Sequence, residues 1–279
     1  MTGTRGLDEW QDFAWHGRRV AWRQAGSGPA LVFCHGTPWS SQVWRDVAAE
    51  LAADYSVYLW DMPGYGRSSM DPAHPVDLNV QGRTFTALLQ HWRLDRPVVV
   101  AHDIGGAVAL RAHLLHQCDL DHLILTDIVT LRPWGSAFFS LVHAHASVFA
   151  QLPPALHRAL VAAYVAGASY TTLCAERTEA LLEPWLSRAG QAAFYAQIAQ
   201  ADVRHTDEVA DRLGQVRCPT TVLWGEHDTW IPVEQAHRLA QALPSARLAI
   251  IPDAGHLVQY DATARLLTEI RAALQGESP

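Results

Sequence analysis

A strand that passes into a helix through a single acidic residue constrains this chain more than any other feature. Residues 97–106 read Pro-Val-Val-Val-Ala-His-Asp-Ile-Gly-Gly, so a β-branched run ends in a small-x-Asp-x-small turn. A helix-forming stretch follows, which gives the strand-turn-helix shape of a nucleophile elbow, where a sharp turn exposes one side chain above a sheet. Most elbows carry Ser, whereas this one carries Asp103, and a carboxylate and an alkoxide attack different electrophiles.

Strand and helix patterns alternate on both sides of this turn. Predicted strands cover residues 11–16, 19–24, 30–34, 56–60, 97–101, 120–126, 220–224 and 246–251, and predicted helices cover 42–53, 77–92, 104–116, 233–243 and 260–274. The alternation predicts a mostly parallel central sheet flanked by helices. From about 132 to 216 only helical patterns occur. We therefore expect a core domain over 1–131 and 217–279 and a helical cap domain over 132–216, above the sheet edge where ligands bind.

Composition excludes several classes of protein. The chain has 279 residues, of which 49% are hydrophobic and 18% charged, so a large core is available and disorder is not expected. The net charge is −7 and no long basic block occurs, which argues against a nucleic-acid partner. No apolar run approaches the about 20 residues of a membrane span, and residues 1–8 lack the apolar segment of a signal peptide. We expect no membrane association and a cytoplasmic location.

The cysteines do not form a recognisable metal or disulfide pattern. Cys34, Cys118, Cys174 and Cys218 are far apart and include no Cys-x-x-Cys pair. Four buried thiols are the expected arrangement, and the sequence predicts neither a metal nor a cofactor.

Five segments, in chain order, resemble motifs of the α/β-hydrolase fold. They are an oxyanion turn at 35–38, the D-x-P-G-x-G-x-S loop at 61–68, the elbow at Asp103, an acid-bearing strand end at 224–228, and Asp-Ala-Gly-His at 253–256. The resemblance covers nearly the whole chain, and the order nucleophile, acid, histidine is that of the family. With Asp at the nucleophile position, the chain resembles the subset of this family that contains epoxide hydrolases and the haloalkane and haloacetate dehalogenases.

The resemblance implies a two-step reaction. Asp103 would attack an sp3 carbon, displace a leaving group and form an alkyl-enzyme ester, and the N-terminus of the following helix favours its negative charge. His256 would activate water to hydrolyse that ester. The backbone N–H groups of Thr37 and Ile104 would form the oxyanion hole.

Two carboxylates compete for the role of orienting His256. Asp228 is favoured because it holds the usual position of the acid, at the later strand end. A triad is recognised by the role of each group and not by one fixed position. Asp127 lies 24 residues after Asp103, at the end of the preceding strand, where some dehalogenases of this subset place their acid.

The leaving group is less constrained than the nucleophile. Ile104 stands where haloalkane dehalogenases have Trp, and Ile104 and Ala107 stand where haloacetate enzymes have Arg. Tyr195 lies 33 residues before Asp228, close to the ring-opening Tyr of epoxide hydrolases, so an epoxide is marginally preferred. A carbon–halogen bond, an ester or lactone, a lyase step, and a non-catalytic ligand receptor remain as alternatives.

Five side chains are candidates for the substrate pocket: His35, Trp39, Trp134, His145 and Tyr195. Trp39 follows the oxyanion turn and Trp134 opens the cap, so either indole is placed to donate to a halide. Packing is the competing explanation for these aromatic residues, and it is the favoured one for His145, which shares a helical face with apolar residues. The expected partners are a small apolar organic substrate and water.

Overall fold

An eight-stranded sheet forms the centre of the molecule. The computed structural model describes residues 5–276, so both outer ends of the predicted core domain lie outside it. Its strands are β1 (Gln11–Trp15), β2 (Arg18–Ala25), β3 (Ala30–Cys34), β4 (Ser56–Trp60), β5 (Val98–Asp103), β6 (His122–Ile128), β7 (Thr220–Gly225) and β8 (Ala246–Ile251). They lie in the order β1-β2-β4-β3-β5-β6-β7-β8. β2 pairs antiparallel with β1 and β4, and every other pair is parallel, which confirms the predicted mostly parallel sheet.

Helices connect the strands. They are α1 (Arg45–Leu51), α2 (Leu78–His91), α3 (Ile104–Leu115), α4 (Ala137–Phe149), α5 (Pro154–Ala166), α6 (Ala175–Leu182), α7 (Arg188–Ala199), α8 (Arg204–Ala210), α9 (Glu234–Ala242), α10 (Val258–Asp261) and α11 (Thr263–Leu274). Short 3₁₀ turns occupy Arg5–Asp8, Ser41–Trp44, Glu183–Trp185 and Leu213–Gln215. The stretch between β6 and β7 contains helices α4 to α8 and, in the described residues, no strand.

Two predicted helices begin or continue differently from the sequence expectation. The helix expected over 42–53 starts as a 3₁₀ turn, capped by Ser40, and becomes α-helical only at Arg45. The helix expected over 260–274 is interrupted at Ala262, whose φ of −138° separates α10 from α11. The strand expected over 97–101 continues to Asp103, which brings this carboxylate to the end of β5.

Helix α3 lies inside the core and fixes the position of the elbow. Every residue from Ile104 to Leu114 is buried, including Arg111 and His113, so the helix packs against the protein on all sides. Two glycines in its first turn permit a close approach to the sheet. A Cβ on Gly105 would lie 2.5 Å from the carbonyl oxygen of His35, and one on Gly106 would lie 2.3 Å from the side chain of Ile128. The start of α3 is therefore held against the ends of β3 and β6.

The cysteines do not all lie in the core. Cys34 and Cys218 are buried, but Cys118 is half-buried and Cys174 is exposed, so the expectation of four buried thiols was wrong for two of them. Cys174 is exposed because it lies in the loop that leads into α6 and takes the N-cap position of that helix. In the described range, no group of three His, Cys, Asp or Glu side chains is arranged to hold a metal ion.

None of the helices within residues 5–276 combines the length and the apolar character that crossing a bilayer requires.

Candidate active site

Asp103 occupies a strained turn at the carboxyl end of β5. Its φ of 52° and ψ of −127° are unusual for a residue with a side chain, a conformation that costs about 1–3 kcal/mol and persists where the surroundings enforce it. The pairing of β5 with β6 also shifts register between His102 and Asp103. Gly36 makes room for the turn, since a Cβ there would lie 2.3 Å from the Cβ of Asp103. The backbone thus directs one carboxylate away from the sheet.

The Asp103 side chain does not act as a helix cap. It stands at the N-cap position of α3, where Asp is a preferred residue, but makes no capping hydrogen bond. Instead, the backbone N–H of Thr37 donates to Oδ1 of Asp103 at 2.6 Å. The N–H of Ile104 is the first of α3, and the first N–H groups of a helix lack intrahelical acceptors.

His256 lies between two carboxylates in a fully buried site. Its Nδ1 is 2.9 Å from Oδ2 of Asp228, and its Nε2 is 3.5 Å from Oδ2 of Asp103. The other oxygen of Asp228 accepts the backbone N–H groups of Trp230 at 2.7 Å and Ile231 at 2.9 Å. Asp228 is therefore fixed by three hydrogen bonds, one of which leads to His256.

Burial and charge act in opposite directions on this group of residues. Burial alone lowers the pKa of His256, but Asp228 and Asp103 outweigh it and raise that pKa well above its usual value. Burial alone raises the pKa of Asp103, yet the adjacent His256 and the Thr37 N–H bring it below the usual value. The site consequently favours an ionised Asp103 beside a protonated His256.

Asp127, the alternative acid, lies close by but bonds differently. Its Oδ1 accepts the backbone N–H of Gly225 at 2.8 Å, and its Oδ2 is buried with no partner among the described residues. Among residues 5–276, Asp228 and Asp103 are the only carboxylates within 4 Å of a ring nitrogen of His256. Burial, followed by the charge of Asp228, raises the pKa of Asp127 well above its usual value, which favours its neutral form.

His102 holds the backbone of His256. Its Nε2 donates to the carbonyl oxygen of His256 at 2.9 Å, and the two rings lie 4.6 Å apart. Burial lowers the pKa of His102 to about 3, so its ring is neutral. This residue directly precedes Asp103 in the chain, but its type and position gave no signal in the sequence.

An aromatic stack forms one wall of the site. Trp230 stacks on His256 at 5.1 Å between ring centroids, on Tyr164 at 4.4 Å and on Trp39 at 5.6 Å. Trp230 was not among the predicted pocket residues, although its place two residues after Asp228 is a usable signal.

A small cavity of about 40 Å³ opens onto Asp103. Its lining is mostly apolar, with few polar groups, as in many small-molecule sites. The lining residues are Thr37, Asp103, Ile104, Val129, Trp134, Gly135, Ser136, Phe139, Tyr164, Trp230 and Ile231.

Trp134 is the one predicted pocket side chain found in that lining. Its indole N–H already donates to the Thr206 hydroxyl at 2.9 Å, so this group is occupied within the protein. Trp39 is buried behind Trp230 instead of lining the cavity, because the two indoles stack nearly parallel, at 16°.

His35 lies beneath the oxyanion turn and not in the cavity. The backbone N–H of Met62 donates to its Nε2 at 2.9 Å, which leaves the proton on Nδ1, 2.8 Å from the carbonyl oxygen of Gly36. A neutral His35 thus ties the oxyanion turn to the loop after β4, and burial lowers its pKa accordingly.

The two remaining candidates belong to the cap, away from Asp103. The hydroxyl of Tyr195 contacts Nδ1 of His157 at 2.8 Å, so Tyr195 packs between cap helices, contrary to the prediction that it faces substrate. His145 is exposed on α4, where its φ of −135° marks a kink, also contrary to a pocket role. The tyrosine that reaches the cavity is Tyr164, on α5.

Comparisons with known proteins agree with this architecture. A structure of an alpha/beta hydrolase fold protein from Burkholderia ambifaria is 42% identical, covers 96% of this chain and 97% of its own, and superposes with a TM-score of 0.91. The haloalkane dehalogenase DatA from Agrobacterium tumefaciens C58 has a TM-score of 0.82 at 20% identity, covering 96% of each chain, and so shares the fold.

A curated relative and a family model extend the comparison to sequence. The 2-hydroxy-6-oxononadienedioate/2-hydroxy-6-oxononatrienedioate hydrolase 1 of Dechloromonas aromatica (strain RCB) is 26% identical over 252 residues, which is 87% of this chain and 86% of the relative. The model of the alpha/beta hydrolase fold matches residues 29–263. That match runs from the strand before the oxyanion turn to beyond His256, and the chain belongs to the α/β-hydrolase fold family.

Proposed function

We propose that this protein is a hydrolase in which Asp103 attacks an sp3 carbon and forms an alkyl-enzyme ester. The observation that carries the proposal is the different surroundings of the two Asp103 oxygens. Oδ1 accepts the Thr37 N–H at 2.6 Å, whereas Oδ2 faces Nε2 of His256 at 3.5 Å. Because the oxygen that accepts the short hydrogen bond is the weaker nucleophile, Oδ2 is the attacking atom.

The first step requires an ionised carboxylate. The low pKa of Asp103 supplies it, and the N-terminus of α3 stabilises its negative charge. A bond forms between Oδ2 and the substrate carbon while the bond from that carbon to the leaving group breaks, and the electron pair departs with the leaving group.

The second step requires a base and an oxyanion hole. Ester formation removes the Asp103 charge, one of two that raise the pKa of His256, so His256 releases its proton, which balances the one that the departing alkoxide takes up. The neutral imidazole then accepts a proton from water. Water attacks Cγ of Asp103, and the charge that develops on Oδ1 is stabilised by the N–H groups of Thr37 and Ile104, about 3–4 kcal/mol for each donor.

Collapse of this intermediate breaks the bond between Cγ and Oδ2. The product alcohol leaves with the former Oδ2 and takes the proton from His256. Asp103 is regenerated with one oxygen from water and passes the proton of its new hydroxyl to His256, which restores the starting state. Asp228 holds His256 with its proton on Nδ1, so that Nε2 is the atom that exchanges protons.

An epoxide is the preferred substrate. Ring opening produces an alkoxide that needs a proton, and Tyr164 lines the cavity together with Asp103. Burial, followed by the charge of Asp103, raises the pKa of Tyr164, so this hydroxyl is protonated and able to donate. The indole N–H of Trp134, which the sequence suggested as a donor to a halide, already donates to Thr206. Tyr164 thus takes the role that the sequence suggested for Tyr195.

A single turnover in H₂¹⁸O tests the proposal. With excess enzyme over an alkyl epoxide, ¹⁸O should enter Asp103, which is detectable in the tryptic peptide 94–111, while the first diol formed stays unlabelled. Label in the diol with none in the peptide would exclude the ester, and with it the nucleophilic role of Asp103. Because hydrolysis of an ester or lactone by direct attack of water also leaves the peptide unlabelled, the experiment separates the proposal from that alternative.

A further inference from the structure

Gln197 on α7 has one half of its amide bonded and the other half free. The hydroxyls of Tyr65 and Thr37 both donate to its Oε1, each at 2.8 Å. Its Nε2 is buried and has no hydrogen-bond partner in the part of the chain that the structure describes, and the whole residue is only 5% exposed. A buried N–H without an acceptor destabilises a protein, so an unpaired amide inside a native structure calls for an explanation.

The position of Gln197 supplies that explanation. It lines a second small cavity, of about 20 Å³, formed between the cap and the loop before α2. This cavity shares Thr37, Ile104, Trp134 and Phe139 with the cavity at Asp103. The two cavities therefore adjoin each other, and a substrate whose reacting carbon lies at Asp103 has room to extend towards Gln197.

The hydrogen bonds of the amide determine what it can bind. Each of the two hydroxyls needs an acceptor, and the carbonyl oxygen of Gln197 accepts from both. The remaining group is an NH₂, which has only donors to offer. The complementary group on a ligand must accept hydrogen bonds.

Charge restricts the acceptor further. Neither cavity is lined by Lys or Arg within the described residues, whereas Asp103 lines the first and Asp77 the second. A carboxylate or phosphate here would be buried near negative charge without a cation, which is strongly unfavourable. An uncharged oxygen, such as that of an ether or carbonyl, fits both the donor and the electrostatic environment.

We propose that Gln197 determines specificity by donating an N–H to an uncharged oxygen in the substrate, beyond the carbon that Asp103 attacks. The inference rests on the proposed function for the identity of the reacting group, but the binding of an oxygen acceptor by Gln197 can be measured independently. The substrates are then small epoxides with an ether or carbonyl oxygen in the chain attached to the ring.

Two substrates of equal length test this directly. Propyl glycidyl ether and 1,2-epoxyheptane differ only by an oxygen in place of one CH₂ group. The ratio of their kcat/KM values, ether over hydrocarbon, should fall about 3- to 10-fold in Gln197→Met, the loss expected for one uncharged hydrogen bond. Gln191→Met is the matched control, because Gln191 lies on the same helix and donates to Ala150 and Leu152 inside the cap. Its ratio should equal that of the wild type.

The Gln197→Glu variant distinguishes hydrogen-bond donation to the substrate by Gln197 from a purely structural role of this residue. At pH 9 the introduced carboxylate still accepts the Tyr65 and Thr37 hydroxyls but cannot donate, so the ratio should fall as it does in Gln197→Met. A wild-type ratio in Gln197→Glu would overturn the proposal, since the amide would then serve only to hold Thr37 and Tyr65.

A binding measurement covers the case in which neither epoxide reacts. The unreactive tertiary amide N,N-dimethylbutanamide has a carbonyl acceptor and no donor. Titration calorimetry should give a dissociation constant about 3- to 10-fold higher for Gln197→Met and Gln197→Glu than for wild type and Gln191→Met. Equal dissociation constants in all four proteins would refute the role of Gln197. An effect on binding without epoxide turnover would instead refute the proposed function alone.

Discussion

Replacing Asp228 by Asn should stop the reaction after the ester has formed. Oδ1 of Asp228 accepts two backbone N–H groups, from Trp230 and Ile231. The oxygen of Asn must therefore occupy that position, which directs its NH₂ at Nδ1 of His256. His256 then carries its proton on Nε2, the atom that has to accept a proton from water. An exchange of this kind in a catalytic triad lowers the rate by about 10⁴-fold.

Asp127→Asn is the matched comparison. The raised pKa of Asp127 favours its neutral form, and its Oδ1 accepts the Gly225 N–H, so Asn matches both the charge of that form and this hydrogen bond. We expect less than about a 10-fold loss, since no charge that acts on His256 is removed. Single-turnover quench experiments, in which mass spectrometry measures ester and product, should show a persistent ester in Asp228→Asn and normal decay in Asp127→Asn. The reverse pattern would refute this assignment of the acid.

Three further predictions follow from individual contacts. Tyr164→Phe should slow ester formation from an epoxide by at least about 10²-fold in stopped-flow experiments, with little change for an alkyl halide, because only the alkoxide needs the proton; equal losses for both would contradict this role. The difference in free energy of unfolding between wild type and His256→Gln, measured in urea, gives the ionic contribution of His256 to stability. This contribution should be complete below pH 6.5 and decline as the pH rises through the raised pKa of His256 in the folded protein. A difference that grows with pH would contradict it. Gly106→Ala should destabilise the fold by about 1–3 kcal/mol in the same assay, because the added Cβ meets Ile128 at 2.3 Å; unchanged stability would show that this contact relaxes freely.

The sequence predicted those parts of the molecule that depend on local backbone geometry. Short apolar runs predicted the parallel strands. The small residues around Asp103 predicted its turn, where Gly36 permits a close approach to the Asp103 side chain. The nucleophile position, the oxyanion turn and the strand ends are all punctuated by Gly, Pro or Asp, which leave a clear trace in a sequence.

The side chains of the cap left no comparable trace. The spacing to Asp228 favoured Tyr195, and only the packing of α5 and α7 brings Tyr164 to the cavity and leaves Tyr195 bonded to His157. Gln197 gave no signal because its role depends on two hydroxyls distant in sequence. Pocket residues contributed by a helical insertion are decided by tertiary packing, which periodicity does not encode.

The cap also explains why the leaving group is harder to assign than the nucleophile. Asp103, Thr37 and Asp228 lie on the sheet and its connecting turns, whereas Tyr164 and Gln197 come from α5 and α7. Under the proposed function, the core thus supplies the bond-breaking chemistry and the insertion supplies the groups that select a substrate.

The most direct test of the central claim is intact-protein mass spectrometry of His256→Gln after exposure to an alkyl epoxide. This variant keeps Asp103 but lacks the base that activates water, so the account predicts a stable increase equal to the mass of one substrate molecule, located at Asp103 in peptide 94–111. Asp103→Asn, treated in the same way, should show no increase. The absence of any adduct in His256→Gln across a panel of epoxides and alkyl halides would contradict covalent catalysis by Asp103.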